Sequence, residues 1–358
     1  MLNKKYFEEL ESSWDRMKSC KKPIYVYGMG DGCEKLLNLC AEKQIKIDGI
    51  FASDDFVRGQ NFCGYKVEKL SDIEKRCKDF LVVLAFGTSL DDIMTRIDSI
   101  SENHELIAPD MSVSGKNAFE KDFFLENFDR AQKAYDLLSD DKSRDVFENI
   151  TAYKITGRLD YLKKVFSDED EGFALLDLGE NEIYCDLGAY NGDTVRKFCK
   201  VTNGKYRKIY AFEPDKRNFQ KCVKNCINMD NIEFINAAAW KKDGVTSFDA
   251  SAGRQAQISA AGGKKVCTRS LDSILKGGEC TYIKYDVEGA DFPALEGSAN
   301  TISEYAPKIC CALYHHPMDY IDIPLFINSI CGEYDFYMRQ FKYYPAWETN
   351  LFAVKGVK

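Results

Sequence analysis

The sequence lacks the features that would commit it to a membrane or to a nucleic acid. None of its 358 residues lie in an uninterrupted apolar run near the roughly 20 residues needed to cross a bilayer. The opening "MLNKKYFEELESSW" has no apolar stretch of the signal-peptide kind, so the chain reads as cytosolic. Positive charge is in deficit, with 49 Lys and Arg against 57 Asp and Glu, a net charge of -8. That balance argues against a broad footprint on nucleic acid or an anionic membrane and fits a small neutral or cationic partner better. There is no internal repeat, no low-complexity segment and no C-x-x-C pair. The 14 cysteines are scattered through apolar stretches such as "EIYCDL" and "KICCALY". Cys222 and Cys226 sit four apart, but no second ligand pair follows them, so buried free thiols in a reducing compartment are expected instead of zinc.

A chain of this length exceeds what one compact core usually contains. Strand, glycine turn, helix and second strand are readable in "KPIYVYGMGDGCEKLLNLCAEKQIKIDGIFASDD", and "DFLVVLAFGTSLDDIMTRI" repeats the alternation. Residues 1–115 are expected to form a small Rossmann-like accessory domain. Residues 116–180 are charged and helix-forming, a helical connector in which Tyr153, Ile155, Leu159 and Leu162 recur at packing intervals. From residue 181 to 358 the strand and helix alternation returns, with strands near 183–185, 208–212, 232–235, 282–285 and 309–313. "YDFYMRQF" and "TNLFAV" are close enough for a closing hairpin. The fold class is α/β, a doubly wound and mostly parallel sheet with an antiparallel last pair.

The stretch "YCDLGAYNGDTVRKF" then matters most, because ligands of such sheets bind where the first strand turns into the first helix. Asp186 stands at the entrance of the turn, followed by Gly188, Tyr190 and Gly192. A carboxylate there repels a pyrophosphate and attracts a cation in a partly desolvated cleft. S-adenosylmethionine carries an ammonium and a sulfonium. In "IYAFEPDKRN", Glu213 ends the next strand, where its oxygens can accept hydrogen bonds from both ribose hydroxyls. Both acids could alternatively cap helices or stand in solvated loops.

These residues carry a resemblance. The segment from about Glu182 to Val354 resembles the FkbM family of S-adenosylmethionine-dependent methyltransferases through "DLGAYNGDT", "YAFEPD", "SLDSIL", "YIKYDVEGADFPALEGS", "LYHHPMDYIDIPLFI" and "ETNLFAV". The resemblance implies a class I methyltransferase fold and methylation of hydroxyl oxygens on sugars or related compounds. It implies S-adenosylmethionine at Asp186, Gly188, Gly192, Asp193, Thr194 and Glu213, with Tyr190 and Pro214 completing the candidate cofactor set. It places the acceptor near Asp286, Glu288 and His315, which are the candidate catalytic residues.

In "YIKYDVEGADF", strand alternation puts Lys284 and Asp286 on one face, with Glu288 just past the strand end. Asp286 and Glu288 could anchor the cofactor, bind hydroxyls or hold a divalent cation. Metal ranks below the others because two carboxylates and one histidine make an incomplete shell. Of three histidines, His315 is the better placed general base, oriented by Asp286 or Glu288, although it could instead bind substrate or close its strand. His316 would face the other way if the strand persists, and His104 lies in a polar loop. Arg339, Glu348, Tyr343, Tyr344 and Trp347 surround the closing hairpin, where packing is the commoner fate of such aromatics. "DASAGRQAQISAAGGKK", with Arg254 and Lys264, reads as a mobile loop. In "YGMGDG", Gly28, Gly30 and Gly32 with Asp54 and Asp55 resemble a nucleotide turn, yet Cys33 occupies the place of the third glycine. The reading is an O-methyltransferase acting on a sugar, glycan or similar small molecule. Its rivals are an NAD(P)-linked oxidoreductase and a non-catalytic cofactor-binding module. Oligomeric state is left open.

Overall fold

The computed structural model describes residues 1–113, 117–249, 257–258 and 264–356. The chain forms two compact units, each discontinuous in sequence. The first comprises residues 1–132, 145–166 and 342–347, and the second residues 133–144, 167–341 and 348–358.

The first unit is built on strands β1 (Ile24–Tyr27), β2 (Gly49–Ala52), β3 (Asn61–Phe62), β4 (Tyr65–Lys69), β5 (Leu81–Leu84) and β6 (Glu105–Ile107), in the spatial order β3-β4-β2-β1-β5-β6. All pairs are parallel except β3 with β4. β1, β2 and β5 are buried at every position, which is why they read as continuous apolar runs. The β3–β4 hairpin escapes a periodicity reading because its strands are short and largely exposed. It turns on Cys63 and Gly64, both at positive φ (46° and 82°), the backbone of a two-residue hairpin turn.

The second unit adds β7 (Phe166–Ser167), β8 (Ile183–Leu187), β9 (Lys208–Phe212), β10 (Ile232–Ile235), β11 (Ala238–Ala239), β12 (Gly244–Asp249), β13 (Gln257–Ile258), β14 (Lys264–Arg269), β15 (Tyr282–Tyr285), β16 (Lys308–Ala312), β17 (Tyr334–Phe341) and β18 (Thr349–Lys355). Its main sheet has eight strands in the order β10-β9-β8-β15-β16-β18-β17-β7. β10, β9, β8, β15 and β16 are parallel, and β18 runs antiparallel to both β16 and β17. This is the mostly parallel sheet with an antiparallel final pair that the sequence predicts.

β8 is central and wholly buried. Tyr184 on β8 stacks on Tyr282 of β15, with ring centroids 4.7 Å apart, and on Phe198 of helix Asp193–Val201 at 4.5 Å. This aromatic layer fixes the helix over the sheet and sets where its first turn begins. The expected loop after Asp249 is flanked by structure: β12 and β14 pair antiparallel, and β11-β14-β12-β13 make a separate four-stranded sheet. The alternation is hard to read because Val245, an apolar residue of β12, is 65% exposed. Arg254 and the Lys264 side chain lie outside the described residues. Among the described residues, no helix is long and apolar enough to cross a membrane.

Candidate active site

The carboxyl ends of β8, β9 and β15 converge through backbone contacts. The amides of Gly188 and Ala189 donate to the Phe212 carbonyl at 3.2 and 2.8 Å, and the Asp286 amide donates to the Leu187 carbonyl at 3.1 Å. Gly188 has φ +110°, and a Cβ there would lie 2.0 Å from the Asp286 carbonyl oxygen. Only glycine lets the turn after β8 lie this close to the end of β15. The two halves of the predicted site, one after β8 and one after β15, are thereby brought together.

On the cofactor side, Asp186 is fully buried, at 0% exposure. Its Oδ2 accepts from Thr194 Oγ1 at 2.5 Å, while Oδ1 has no hydrogen-bond partner. Burial pushes the Asp186 carboxyl up, against the opposing pull of the Lys284 charge. Lys284 is its register partner on β15. Glu213 is likewise buried, with Oε1 accepting from the Asp215 amide at 2.7 Å. Burial raises it to about 8, only partly countered by the amides of Asp215 and Tyr190. Tyr190 sits in the turn at φ 46°. Gly192 caps helix Asp193–Val201, whose exposed Asp193 accepts from the Thr194 amide at 2.9 Å. Pro214 follows Glu213 and is half-buried, its carbonyl accepting from Asn236 at 3.3 Å.

On the acceptor side, His315 is buried at 0% exposure. Its Nε2 lies 3.5 Å from Asp286 Oδ1 and 3.7 Å from Glu288 Oε2, and makes no hydrogen bond. Lys284 Nζ donates to Asp286 Oδ2 at 3.0 Å, and Tyr314 Oη donates to Asp286 Oδ1 at 3.3 Å. Burial alone would raise the Asp286 carboxyl, but Lys284 and His315 outweigh it and hold the group below its ordinary value. Burial raises Glu288 to about 7. For His315, burial opposes the imidazolium, yet Asp291, Glu288 and Asp286 together outweigh burial and lift it to about 10. The resting site therefore holds a proton on His315, shared electrostatically with neighbouring acids.

Two expectations about orientation need correcting. The carboxylate at hydrogen-bond distance from the His315 ring is that of Asp291, not of Asp286 or Glu288: Asp291 Oδ2 lies 2.6 Å from Nδ1. His316 does not face away, because β16 ends at Ala312 and the alternation stops before the histidines. His316 Nε2 reaches the Gly289 carbonyl at 3.0 Å. Sequence reasoning also passed over Glu348 as a site acid. Burial and then the Asp286 charge raise it to about 7. The acid three residues after Glu288 in "EGAD" was the available signal for Asp291. Arg339, by contrast, belongs to packing: it is 3% exposed and binds Asp140 and Glu171, each at 2.6 Å. Among the described residues, no group of three or more His, Cys, Asp or Glu side chains is arranged to hold a metal ion.

Residues 186–343 match the methyltransferase FkbM domain family. The chain carries an FkbM methyltransferase domain. It is a methyltransferase, and the oxidoreductase alternative falls. The crystal structure of a methyltransferase FkbM from Methylobacillus flagellatus KT is similar over 98% of this chain and 92% of its own, at 18% identity and a TM-score of 0.73. An rRNA methylase from Streptococcus thermophilus aligns with 52% of this chain and 94% of its own, at 13% identity and a TM-score of 0.36. Aeropyrum pernix fibrillarin, solved with natively bound S-adenosyl-L-methionine, aligns with 52% of this chain and 74% of its own, at 11% identity and a TM-score of 0.34. No curated protein matches the chain. The matched residues include every sequence-predicted site residue, and Glu348 lies just beyond them.

The glycine turn of the first unit has its own structural explanation. A Cβ on Gly32 would lie 2.3 Å from the Ala85 carbonyl oxygen, so this glycine permits close packing of helix Asp31–Glu42 on the sheet. The helix begins with Asp31, which pairs with Lys35 at 2.8 Å, an arrangement unfavourable to a phosphate at that end.

Proposed function

We propose that the FkbM domain binds S-adenosylmethionine along the turn after β8 and methylates a hydroxyl of a sugar, glycan or related small molecule. The observation that carries this reading is the buried His315 Nε2, without a hydrogen bond, facing Asp286 and Glu288 beside the Gly188 turn. The fit to the cofactor rests on Asp186 Oδ1, a buried acceptor without a partner, which suits an ammonium donor. Bound there, S-adenosylmethionine supplies a methyl group on a cationic sulfur and departs as a neutral thioether.

Asp186 and Thr194 would hold the cationic amino end, and Glu213 would accept from the ribose hydroxyls while Tyr190, Gly192, Asp193 and Pro214 would shape the walls. Asp286 and Glu288 receive the acceptor's hydroxyls. The attacking oxygen forms its bond to the methyl carbon as the carbon–sulfur bond breaks, and its proton passes to the pair made by His315 and Glu288. Asp291, Glu288 and Asp286 supply the negative field that raises His315, and a cation held near Asp286 would counter part of it and move the imidazole toward its neutral, proton-accepting form. The acidic lining favours a neutral acceptor over a phosphorylated one. All 14 cysteines are free thiols, which supports action in the reducing cytoplasm.

The test incubates the full chain with methyl-labelled S-adenosylmethionine and fractionated cell glycans, followed by mass spectrometry of labelled products. His315→Gln should lower turnover by about 100- to 10,000-fold with cofactor affinity nearly unchanged. Unaltered turnover would remove His315 from the chemistry, and cofactor binding with no transfer to any fraction would overturn the sugar or glycan acceptor.

A further inference from the structure

Asp291 carries out two tasks with one carboxylate. It opens helix Asp291–Glu296 and is 1% exposed. Its Oδ1 accepts from the Val287 amide at 3.1 Å, and its Oδ2 accepts from the Gly289 amide at 3.3 Å. These bonds close the turn that holds Glu288 in the left-handed region, at φ 52°, a conformation that only a fixed surrounding imposes on a glutamate. The same Oδ2 lies 2.6 Å from His315 Nδ1. An acceptor-only oxygen at that distance requires the Nδ1 proton, so the second ring nitrogen, Nε2, is the one that exchanges protons with the cleft.

We propose that Asp291 is the positioning residue of this methyltransferase: it fixes the His315 tautomer through Nδ1 while its turn bonds set Glu288 opposite Nε2, so that the acceptor's proton passes to Nε2 of the neutral imidazole with the Glu288 carboxylate facing it. This rests on the base reading given above. The groups facing His315 come from every neighbouring segment. Asp286 and Lys284 belong to β15 and its end, Glu288 and Asp291 to the following turn and helix, Tyr314 to its own segment, and Asp319 to helix Asp319–Ile330. Of these, only Asp291 touches Nδ1 at hydrogen-bond distance. A buried carboxylate in that position stabilises the imidazolium formed when the ring takes up a proton, the division of labour that serves acyl-transfer triads. Here the nucleophile is the acceptor's own oxygen, so the chain supplies two members of such a group and the substrate the third.

The test is made on the full chain with Asp291→Asn, which preserves size and can still accept one turn bond. The chain has only three histidines, so nitrogen-15 NMR can follow each imidazole. Wild type should show a protonated, strongly hydrogen-bonded Nδ1 on His315. In the variant that signal should be lost and the His315 titration midpoint should fall by at least one pH unit. Turnover should drop by about 10- to 1,000-fold, KM for S-adenosylmethionine should move less than threefold, and the kcat–pH profile should shift in step with the His315 titration. Unchanged His315 nitrogen shifts and pH profile would overturn the proposal. Should the variant fail to fold, the wild-type spectrum decides, because a His315 Nδ1 without a proton is incompatible with it. The two readings fail separately: if His315→Gln retains turnover, the base role falls, while the Nδ1 signal still reports whether Asp291 holds the ring.

Discussion

Asp186→Asn exchanges one oxygen for an amide nitrogen and removes one negative charge from a position with no solvent exposure. Burial raises the carboxyl although Lys284 and Thr194 favour its ionised form. A group whose folded pKa lies above its unfolded value binds protons more tightly when folded, so stability is lost as pH climbs past the unfolded value. The charged form of Asp186 is therefore the disfavoured one in the ligand-free fold, and a neutral amide escapes that penalty. The amide still places a polar atom where Asp186 Oδ1 has no partner, so what the exchange removes is the charge on that buried acceptor, worth about 1–3 kcal/mol. At about 2–4 °C per kcal/mol for a domain of 150–250 residues, the variant should melt about 2–12 °C higher without ligand. The cofactor loses in the same exchange. An ammonium about 4 Å from a carboxylate gains about 4 kcal/mol at an effective dielectric of about 20. Desolvation returns part of this, leaving affinity about 10- to 100-fold weaker. Thermal scanning and titration calorimetry with S-adenosylmethionine and with 5′-methylthioadenosine, which has no ammonium, measure both effects. A variant that melts lower, or that weakens both ligands equally, would refute the assignment of Asp186 to the amino end.

Gly188→Ala should lose about 2–4 kcal/mol in urea unfolding, because a Cβ would lie 2.0 Å from the Asp286 carbonyl oxygen and φ +110° is unfavourable to any side chain. Wild-type stability in that variant would show that β8 and β15 do not meet this closely. Arg339→Ala should destabilise by about 1–2 kcal/mol, since it takes the shared guanidinium from the one-third-exposed carboxylates of Asp140 and Glu171 and leaves them only Ser143 and Lys142. Burial pushes both acids up, but Arg339, with Ser143 at Asp140 and Lys142 at Glu171, outweighs it and holds them below their ordinary values. Their contribution is present above the unfolded pKa and is lost as pH falls through the depressed folded values. The stability–pH curve of the variant should therefore be flatter on its acid side, and an unaltered acid limb would contradict the pairing.

The parallel strands of the second unit were legible because burial on both faces turns them into apolar runs, and the glycine turn after β8 was legible because a strand-end acid and two glycines fall within seven residues. Asp186 and Asp286 could be placed at one sheet edge from strand alternation, and Glu288 and His315 from lying just past the ends of apolar strands. Asp291 could not, because it lies beyond a turn whose geometry depends on a left-handed glutamate, which no local pattern announces. His316 was misplaced for a related reason: alternation was carried past Ala312, where the strand stops. The β12–β14 ribbon was missed since Val245, an apolar residue of β12, faces solvent. Glu348 looked like a hairpin-end acid, and only the pairing of β18 beside β16 puts it within the electrostatic reach of Asp286.

The path of the backbone between the two units has a practical consequence. The chain passes from one unit to the other five times, after residues 132, 144, 166, 341 and 347. The short stretch 342–347 includes Tyr344, whose amide and carbonyl bond Thr88 and whose hydroxyl donates to Asp98 at 3.0 Å, all within the first unit. No single cut in the gene yields either half intact: a fragment stopping at residue 115 would lack the pieces that return from 145–166 and 342–347, and one starting at 181 would carry a six-residue piece deprived of its home. Dissecting this enzyme calls for point substitutions in the entire polypeptide, and a dead truncation would say nothing about which half performs the chemistry.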